Sequence, residues 1–309
     1  MSASDRSWST AGIDDVIHRA LAQGMAASEL WSLLLRVFAT RAGQRTPAAV
    51  RHQWEHDRFV QPCEVDQRTL NELDRHLLAA AADFTALELA PLAPLAACSA
   101  VALTSQNRVV STARGTEVVS DPTNVLALEC ARRLRAAPGA LVKLTTSHRC
   151  VRAQAVPKLP GFAPHFRMFC LATAGHERKD HALVSEALVE QIRTHLAALN
   201  RLEQHGYHFP DRKIRLLATP ARAHLAQRIA NEINGEIPVT LAALEHQYYD
   251  GLRFVIDVST PAGDAIPFID GGAFDWLRKL ADNHRMVFVA SGMGSQLAAV
   301  LFRRVAMLA

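Results

Sequence analysis

The strongest constraint on the fold of this chain is a pair of strand-like segments joined by a loop that cannot itself be a strand. The residue pattern predicts strands at 141–146 and 166–173. Prolines and glycines interrupt the chain between them, and proline lacks the backbone donor that a sheet needs. The interrupting residues are Pro157, Pro160, Gly161 and Pro164. Paired strands around such a loop favour an antiparallel sheet.

The rest of the chain alternates irregularly between helical and strand patterns. Further strands are predicted at 84–91, 213–218, 252–258 and 286–290, with a strand-rich stretch at 100–119. Helices are predicted at 70–81, 123–135, 185–203 and 221–234, and around Trp276 and Leu297. This order predicts an α/β (α+β) fold, with a mixed, largely antiparallel sheet flanked by helices.

The first 62 residues are predicted to form an N-terminal helical appendage, and residues 63–309 the main domain. The predicted helices cover 13–22, 28–38 with Ser28 as the cap, and about 47–59, begun by Thr46 and Pro47. This appendage either packs against the main core or docks a partner.

The composition fits a folded chain with a large core. Hydrophobic residues make up 49%, charged residues 21%, and the formal net charge is only +4, whereas non-specific nucleic-acid binders carry clustered Lys and Arg. No window approaches 18 uninterrupted apolar residues, and the N-terminus lacks an apolar signal region. We therefore expect neither tRNA nor a membrane as a partner.

Cysteine and histidine usage predicts a reduced protein without a metal site. The five cysteines are widely spaced and include no CxxC pair, which favours free thiols in the cytoplasm. His176 and His181 flank a charged loop, and a solvated loop is favoured over metal binding because no third ligand is evident.

Three parts of the chain carry polar residues in patterns typical of a ligand site. They are VVSDPTN (118–124), VRAQ (151–154) with HFRMF (165–169), and QYYDG (247–251) with DGGAFDWL (270–277). Together with the helix–strand–proline unit ending at Pro91, they resemble the core of class II aminoacyl-tRNA synthetases. The resemblance is to the histidyl branch and to its relative, the regulatory subunit of ATP phosphoribosyltransferase, and it spans about residues 70–304.

The first of these segments resembles the histidyl box that holds the ammonium group of an amino acid. The resemblance implies that role for Asp121 and Thr123, and a carboxylate beside a hydroxyl is a sensible site for a cation. The same two residues precede a predicted helix, so an N-terminal helix cap is an equal alternative.

The second segment resembles class II motif 2, which binds ATP with magnesium. The resemblance implies that Arg152, Gln154, His165, Arg167 and Phe169 surround the nucleotide, with Arg152 on the α-phosphate and Phe169 stacked on adenine. Gln154 stands where the family has Glu. The alternative is a basic hairpin whose aromatic residue belongs to the core.

The third segment resembles two boxes specific to the histidyl branch. It implies that Tyr248 and Tyr249 line an amino-acid pocket, and that Gly271 and Gly272 let the backbone approach a ligand closely. The alternative is a glycine-rich turn between a strand and a helix.

Several departures from the pattern argue against histidine activation. Leu244 stands where the family has an Arg, and 291–297 contain no Arg in the first turn of the motif 3 helix. Arg303 and Arg304 come about two turns later. Each lost arginine is expected to remove about 3 kcal/mol of transition-state stabilisation. The family's insertion domain is missing and the chain stops soon after motif 3, so we expect no anticodon-binding domain.

We therefore expect a homodimeric, non-tRNA-charging paralog of the histidyl-tRNA synthetase core. It would bind a small ligand, an amino acid or a nucleotide, and act as a regulatory or accessory subunit of a partner enzyme. The alternative is a ligase that uses ATP and magnesium to activate a carboxylate other than histidine. A purely structural partner domain is a third reading, suggested by the appendage, and whether the protein is an enzyme stays open.

Overall fold

The computed structural model describes residues 15–157 and 160–304. Its strands are β1 (Thr85–Ala86), β2 (Leu92–Pro94), β3 (Thr116–Val118), β4 (Val142–Val151), β5 (His165–His176), β6 (Lys213–Ala218), β7 (Val239–Ala243), β8 (Leu252–Ser259), β9 (Ala265–Phe274) and β10 (Met286–Met293). Its α-helices are α1 (Asp15–Arg19), α2 (Ala27–Gly43), α3 (Pro47–His56), α4 (Gln67–Ala80), α5 (Pro122–Ala136), α6 (Ala182–Glu203), α7 (Ala223–Glu232), α8 (Trp276–Ala281) and α9 (Ser295–Leu301).

Within these residues, eight strands form one mixed sheet in the order β1-β4-β5-β10-β9-β8-β6-β7. The two outer pairs, β1 with β4 and β6 with β7, are parallel, and every pair between them is antiparallel. β2 and β3 form a small separate antiparallel pair. The predicted fold class, a mixed and largely antiparallel sheet flanked by helices, is confirmed.

The paired strands around the proline-rich loop are confirmed and are longer than predicted. β4 and β5 pair from Val142 opposite Ala174 to Val151 opposite His165. The additional residues are more polar than the apolar pattern by which the strands were recognised, so the pattern alone ended both segments too early.

The two faces of the sheet are covered by different helices. α4 and α6 pack on one face, where Leu77, Ile192 and Phe254 belong to the larger apolar cluster. α5 and α8 cover part of the opposite face with Leu126 and Trp276. The rest of this second face is left for the cleft described below.

The N-terminal helices lie on the outside of the main core. None of the residues of α1, α2 or α3 is buried. Thr46 caps α3 as predicted, since its hydroxyl accepts a hydrogen bond from Ala49 N at 3.2 Å. The predicted cap at Ser28 is wrong: the N-cap of α2 is Ala26, whose N–H binds the Glu29 carboxylate at 3.2 Å. The boundary at residue 62 stays a prediction.

Two stretches were assigned wrongly from sequence. The segment 100–119 is not rich in strands, because it contains the end of a π-turn at Ala97–Val101, a 3₁₀ turn at Gln106–Arg108 and only the short β3. The predicted strand at 84–91 is reduced to β1, and the next strand, β2, begins only after Pro91. Along residues 15–157 and 160–304, no helix is both long and apolar enough to cross a bilayer.

Candidate functional site

A cleft of about 290 Å³ opens where the start of α5, the end of β4 and the Tyr-Tyr turn meet. Three of the residues proposed from sequence for the motif boxes lie on it from different elements: Asp121, Arg152 and Tyr248. Gln154 joins them from the loop after β4. The remaining lining residues are Cys98, Thr104, Arg108, Ser120 and Asn124.

Asp121 both caps α5 and faces the cleft. Its Oδ1 accepts hydrogen bonds from Thr123 N at 3.0 Å and from Thr123 Oγ1 at 2.7 Å. Its other oxygen, Oδ2, lies 3.6 Å from Arg152 Nη2. The helix-cap interpretation is thus confirmed for Asp121, yet one carboxylate oxygen stays directed at the cleft. Thr123 serves the cap and does not line the cleft.

Arg152 is fixed by contacts on three sides. Its Nε donates to the carbonyl oxygen of Ser120 at 3.2 Å, and its guanidinium lies 5.0 Å from the centre of the Phe166 ring. Its Nη2 approaches the sulfur of Met168 at 3.7 Å. A guanidinium held over an aromatic ring is well ordered and presents its remaining N–H groups in a fixed direction.

Two buried polar side chains on the cleft have atoms without a partner among the described residues. Ser120 is 6% exposed and Asn124 is 2% exposed, yet Ser120 Oγ and Asn124 Oδ1 make no hydrogen bond there. A buried polar atom left unpaired typically costs ~1–3 kcal/mol. Both residues line the cleft although the two atoms themselves are enclosed, so a polar ligand in the cleft would pair with them after a small side-chain rotation.

Glu117 does not line the cleft but holds the loop that forms its opposite wall. It is 2% exposed and accepts hydrogen bonds from Ala96 N and Cys98 N, both at 2.9 Å. Gln106 Nε2 donates to the same carboxylate at 2.8 Å. This carboxylate therefore shapes the loop that carries the cleft residues Thr104 and Arg108.

The other motif 2 residues lie on the opposite face of the sheet from Arg152. His165 Nε2 lies 2.8 Å from Gln61 O, and Arg167 Nη1 binds Asp74 Oδ2 at 2.5 Å. Phe169 is completely buried in the larger apolar cluster, edge-on to His195 at 5.9 Å.

The predicted seat for ATP is therefore not assembled as proposed. Strand residues alternate between faces, so 165, 167 and 169 face α4 and α6 whereas 166 and 168 face the cleft. The core interpretation of Phe169 is the one that the structure supports, and Phe166 is the aromatic residue beside Arg152.

Tyr249 packs against the double glycine of β9. Tyr249 Oη donates to Asp270 Oδ1 at 2.8 Å, and Arg253 binds both oxygens of that carboxylate. Burial raises the pKa of Tyr249 from its ordinary value, and the Asp270 charge adds to the effect. A Cβ added at Gly272 would lie 2.5 Å from the Tyr249 ring.

The alternative interpretation of the two glycines, a turn between a strand and a helix, is wrong, and the approach of a ligand to them stays a prediction. Gly271 and Gly272 lie inside β9, a central strand. Their hydrogens leave room for Ser291 on one face and for Tyr249 on the other. The alternation signal was too weak here because glycines replace side chains on both faces.

Comparisons with known proteins agree with this architecture. No family model and no curated protein sequence matches the chain. A histidine–tRNA ligase subunit from Alicyclobacillus acidocaldarius superposes with a TM-score of 0.58 and 12% identity, over 82% of this chain and 96% of that one. An ATP phosphoribosyltransferase regulatory subunit/histidyl-tRNA synthetase from Bacillus halodurans gives 0.56 and 13%, over 78% and 82%.

The chain spans a smaller share of a full synthetase. Against apo histidyl-tRNA synthetase from S. aureus the TM-score is 0.51 at 12% identity, over 73% of this chain and 62% of that one. This chain has the class II synthetase core fold. The likeness is one of fold, and histidyl-type proteins are among the neighbours that share it.

The two positions at which the sequence resemblance expects arginines carry no positive charge. Leu244 is 8% exposed. α9, the helix that the sequence resemblance assigns to motif 3, carries no Arg between Ser295 and Leu301. Arg303 is turned away from the cleft, since its Nη1 donates to Thr69 Oγ1 at 2.9 Å. Arg108 and Arg152 are the arginines that line the cleft.

Sequence reasoning missed several residues of the cleft. Asn124 ends the quoted VVSDPTN segment but was not selected, and its burial at the start of α5 is what makes it notable. Thr104 and Arg108 lie in the segment 100–119, which the sequence predicts to be rich in strands, and Cys98 lies just before it. A loop held by a buried carboxylate has no periodic signal by which it could have been found.

Proposed function

We propose that this protein is a non-tRNA-charging relative of the histidyl-tRNA synthetase core that binds a free α-amino acid in the Asp121–Arg152 cleft. In this proposal it acts as a regulatory or accessory subunit of a partner enzyme. The observation that carries the proposal is the pair of buried, unpartnered polar atoms, Ser120 Oγ and Asn124 Oδ1, on the cleft wall.

The polar groups of the cleft suit a zwitterion. Asp121 Oδ2 and Asn124 Oδ1 are acceptors, and Ser120 Oγ can also accept, which matches the three donors of an ammonium group. Arg152 and Arg108 offer donors for a carboxylate a short distance away. In the free protein Arg152 Nη2 lies 3.6 Å from Asp121 Oδ2, which is a loose contact. The ligand's ammonium group would then replace Arg152 as the partner of Asp121.

The regulatory role rests on what the cleft lacks for adenylate chemistry. Forming an adenylate places negative charge on a leaving pyrophosphate, and preorganised cations usually stabilise that charge. Neither the Leu244 position nor α9 supplies one. One structural neighbour is named as an ATP phosphoribosyltransferase regulatory subunit/histidyl-tRNA synthetase. By analogy, we propose that this chain forms a homodimer and that the homodimer binds a phosphoribosyltransferase.

The second candidate is an ATP-dependent ligase that activates a carboxylate other than histidine. The observation in its favour is the Arg152 guanidinium stacked over Phe166, because a cation beside an exposed aromatic edge can seat a nucleotide. Under this alternative, magnesium-ATP would bind next to Arg152 and the cleft would hold the carboxylate substrate.

Isothermal titration calorimetry with each standard amino acid, and separately with magnesium-ATP, tests the proposal. We expect at least one amino acid to bind without ATP. Asp121→Asn should lower its affinity about 10-fold or more, since an asparagine keeps the helix cap but removes the charge. Asp275→Asn is the matched control, because Asp275 pairs only with Lys279 at the surface.

Other outcomes of the titration decide between the candidates. Tight magnesium-ATP binding that Arg152→Gln abolishes would favour the ligase, and pyrophosphate exchange would follow. An absence of heat with every amino acid would overturn the proposal. The subunit role is tested by small-angle scattering of the protein alone and mixed with a phosphoribosyltransferase; a monomer that forms no complex would refute it.

A further inference from the structure

A second cavity, of about 170 Å³, lies at another edge of the sheet and shares no lining residue with the amino-acid cleft. It forms where β5 ends, β10 begins and the turn before β8 passes the N-terminus of α6. Its charged and titratable lining residues are Glu177, His181, Arg222, Asp250, Arg278 and His284. Phe274 and Val287 belong to its apolar lining.

One carboxylate in this cavity is shared by two arginines. Asp250 Oδ2 makes an ion pair with Arg278 Nη2 and lies 3.9 Å from Arg222 Nη2. Arg278 Nε is buried and has no hydrogen-bond partner in the described part of the chain. The two guanidiniums therefore keep unused donors that a single aspartate cannot fill.

The cavity's other carboxylate is already engaged. Glu177 Oε1 accepts hydrogen bonds from Leu183 N at 3.1 Å and Arg178 N at 3.0 Å, and so caps the start of α6. Its Oε2 lies 3.6 Å from His181 Nδ1. Glu177 thus serves the helix terminus and His181, while the arginines remain short of negative charge.

His181 and Arg222 are held at the cavity wall. His181 has a φ of 55°, in the left-handed region. Arg228 Nη2 fixes this segment through the carbonyl oxygens of Asp180 at 2.8 Å and His181 at 3.1 Å. Arg222 Nη1 lies 3.0 Å from His181 Nδ1, so the arginine contacts the imidazole of a residue whose backbone is held.

We infer that this cavity binds a small oxyanion, the carboxylate or phosphate group of a metabolite, through Arg222 and Arg278. Arg222 and Arg278 share one carboxylate, and the buried Nε of Arg278 has no partner among the described residues. Guanidinium groups in this state suit the planar or tetrahedral oxygens of such a group. The volume is several times the ~30 Å³ that a water molecule occupies in the liquid. The inference does not depend on the proposed function of the other cleft.

The test is calorimetry on the full chain in a buffer free of phosphate and carboxylate, with inorganic phosphate and acetate as separate probes. We expect one or both to bind in the millimolar range, and Arg278→Gln to weaken that binding at least 10-fold. Arg285→Gln is the matched control, since Arg285 is an exposed neighbour that does not line the cavity. Binding of phosphate only, or of acetate only, identifies the source of the oxyanion.

The affinity of the Asp250→Asn variant for phosphate or acetate is a second readout. A purely structural ion pair would not raise that affinity when it is removed. Removing the competing carboxylate frees both guanidiniums, so affinity for the bound probe should rise several-fold. It also keeps the test valid if Arg278→Gln does not fold. The inference is overturned if neither probe binds the natural protein, if Arg285→Gln weakens binding as much as Arg278→Gln, or if Asp250→Asn lowers the affinity.

Discussion

The two faces of the central sheet differ in the hydrogen bonding of their buried polar side chains. On the face covered by α4 and α6, polar side chains are enclosed and bind one another: Ser291 Oγ donates to Gln191 Oε1 at 2.7 Å and lies 2.8 Å from His195 Nε2. On the other face, Ser120 and Asn124 line a cleft, and within residues 15–157 and 160–304 Ser120 Oγ and Asn124 Oδ1 have no partner.

This difference teaches that polarity and burial alone do not mark a site. His195 is fully buried and hydrogen-bonded to a serine, yet it lines none of the described cavities and its Nδ1 has no partner among the described residues. Its pair with Ser291 resembles a base and a nucleophile but lies inside the core, where no substrate reaches. A site requires unmet polar atoms together with space.

The largest contrast between the faces is expected from the two phenylalanines of β5. Phe169→Ala should lower the free energy of unfolding by ~3–5 kcal/mol, because it leaves a cavity in a closed core. Phe166→Ala should cost clearly less, since Phe166 is only partly buried, but should loosen Arg152. Urea denaturation of both variants measures this; equal losses would contradict the assignment of the faces.

The next largest effect is a pH dependence of the free energy of unfolding, which comes from His195 on the face covered by α4 and α6. Burial lowers the pKa of His195 from 6.5 to about 3. Below pH 6.5 His195 therefore binds a proton in the unfolded chain but stays neutral in the folded chain. The free energy of unfolding falls with falling pH by up to ~1.4 kcal/mol per pH unit. At pH 5 this reaches ~2 kcal/mol.

Urea denaturation between pH 7 and pH 4.5 checks that slope. His195→Gln should remove its part of the pH dependence, and the exposed His224 serves as the control through His224→Gln. If the natural protein and His195→Gln lose stability in parallel, the histidine is not held neutral by the core.

A smaller effect on stability is expected from Gly272 in β9, the strand whose two glycines contact side chains on both faces of the sheet. Gly272→Ala places a Cβ 2.3 Å from Leu252 O and 2.5 Å from the Tyr249 ring, and such overpacking typically costs ~1–3 kcal/mol. Thermal unfolding should show the loss, and it should be absent in Gly139→Ala, where nothing lies within 4 Å. A neutral Gly272→Ala would mean that Tyr249 does not lie against the strand.

The smallest stability effect is expected on the open face. Arg152→Gln removes a half-exposed ion pair with Asp121, and such pairs contribute ~0–1 kcal/mol. Its effect on ligand affinity should be far larger than its effect on the melting temperature. A loss of several kcal/mol in thermal unfolding would show that Arg152 holds the fold and not a ligand.

Sequence patterns anticipated most of the scaffold. β6 matches its predicted range, and α5 and α6 differ from theirs by a few residues, because long periodic segments carry their own signal. The same approach failed at 100–119, where Glu117 holds a loop through backbone N–H groups. Contacts between residues about 20 positions apart leave no periodicity.

The candidate site was predicted only in part. Asp121, Arg152, Gln154 and Tyr248 do meet at one cleft. His165, Arg167 and Phe169 do not, since a shift of one residue along a strand moves a side chain to the other face. The pattern of motif 2 predicted the residue types but not which of them share a face of the sheet with Arg152.

The sequence by itself determined the antiparallel strand pair, its long helices and the absence of two arginines, since these follow from local pattern and residue identity. Only the tertiary structure decided which face each strand residue occupies, that Gly272 makes room for Tyr249, and that Ser120 and Asn124 are buried beside a cleft. The physical reason is that burial and unmet hydrogen bonds are properties of the assembled neighbourhood, not of any one segment.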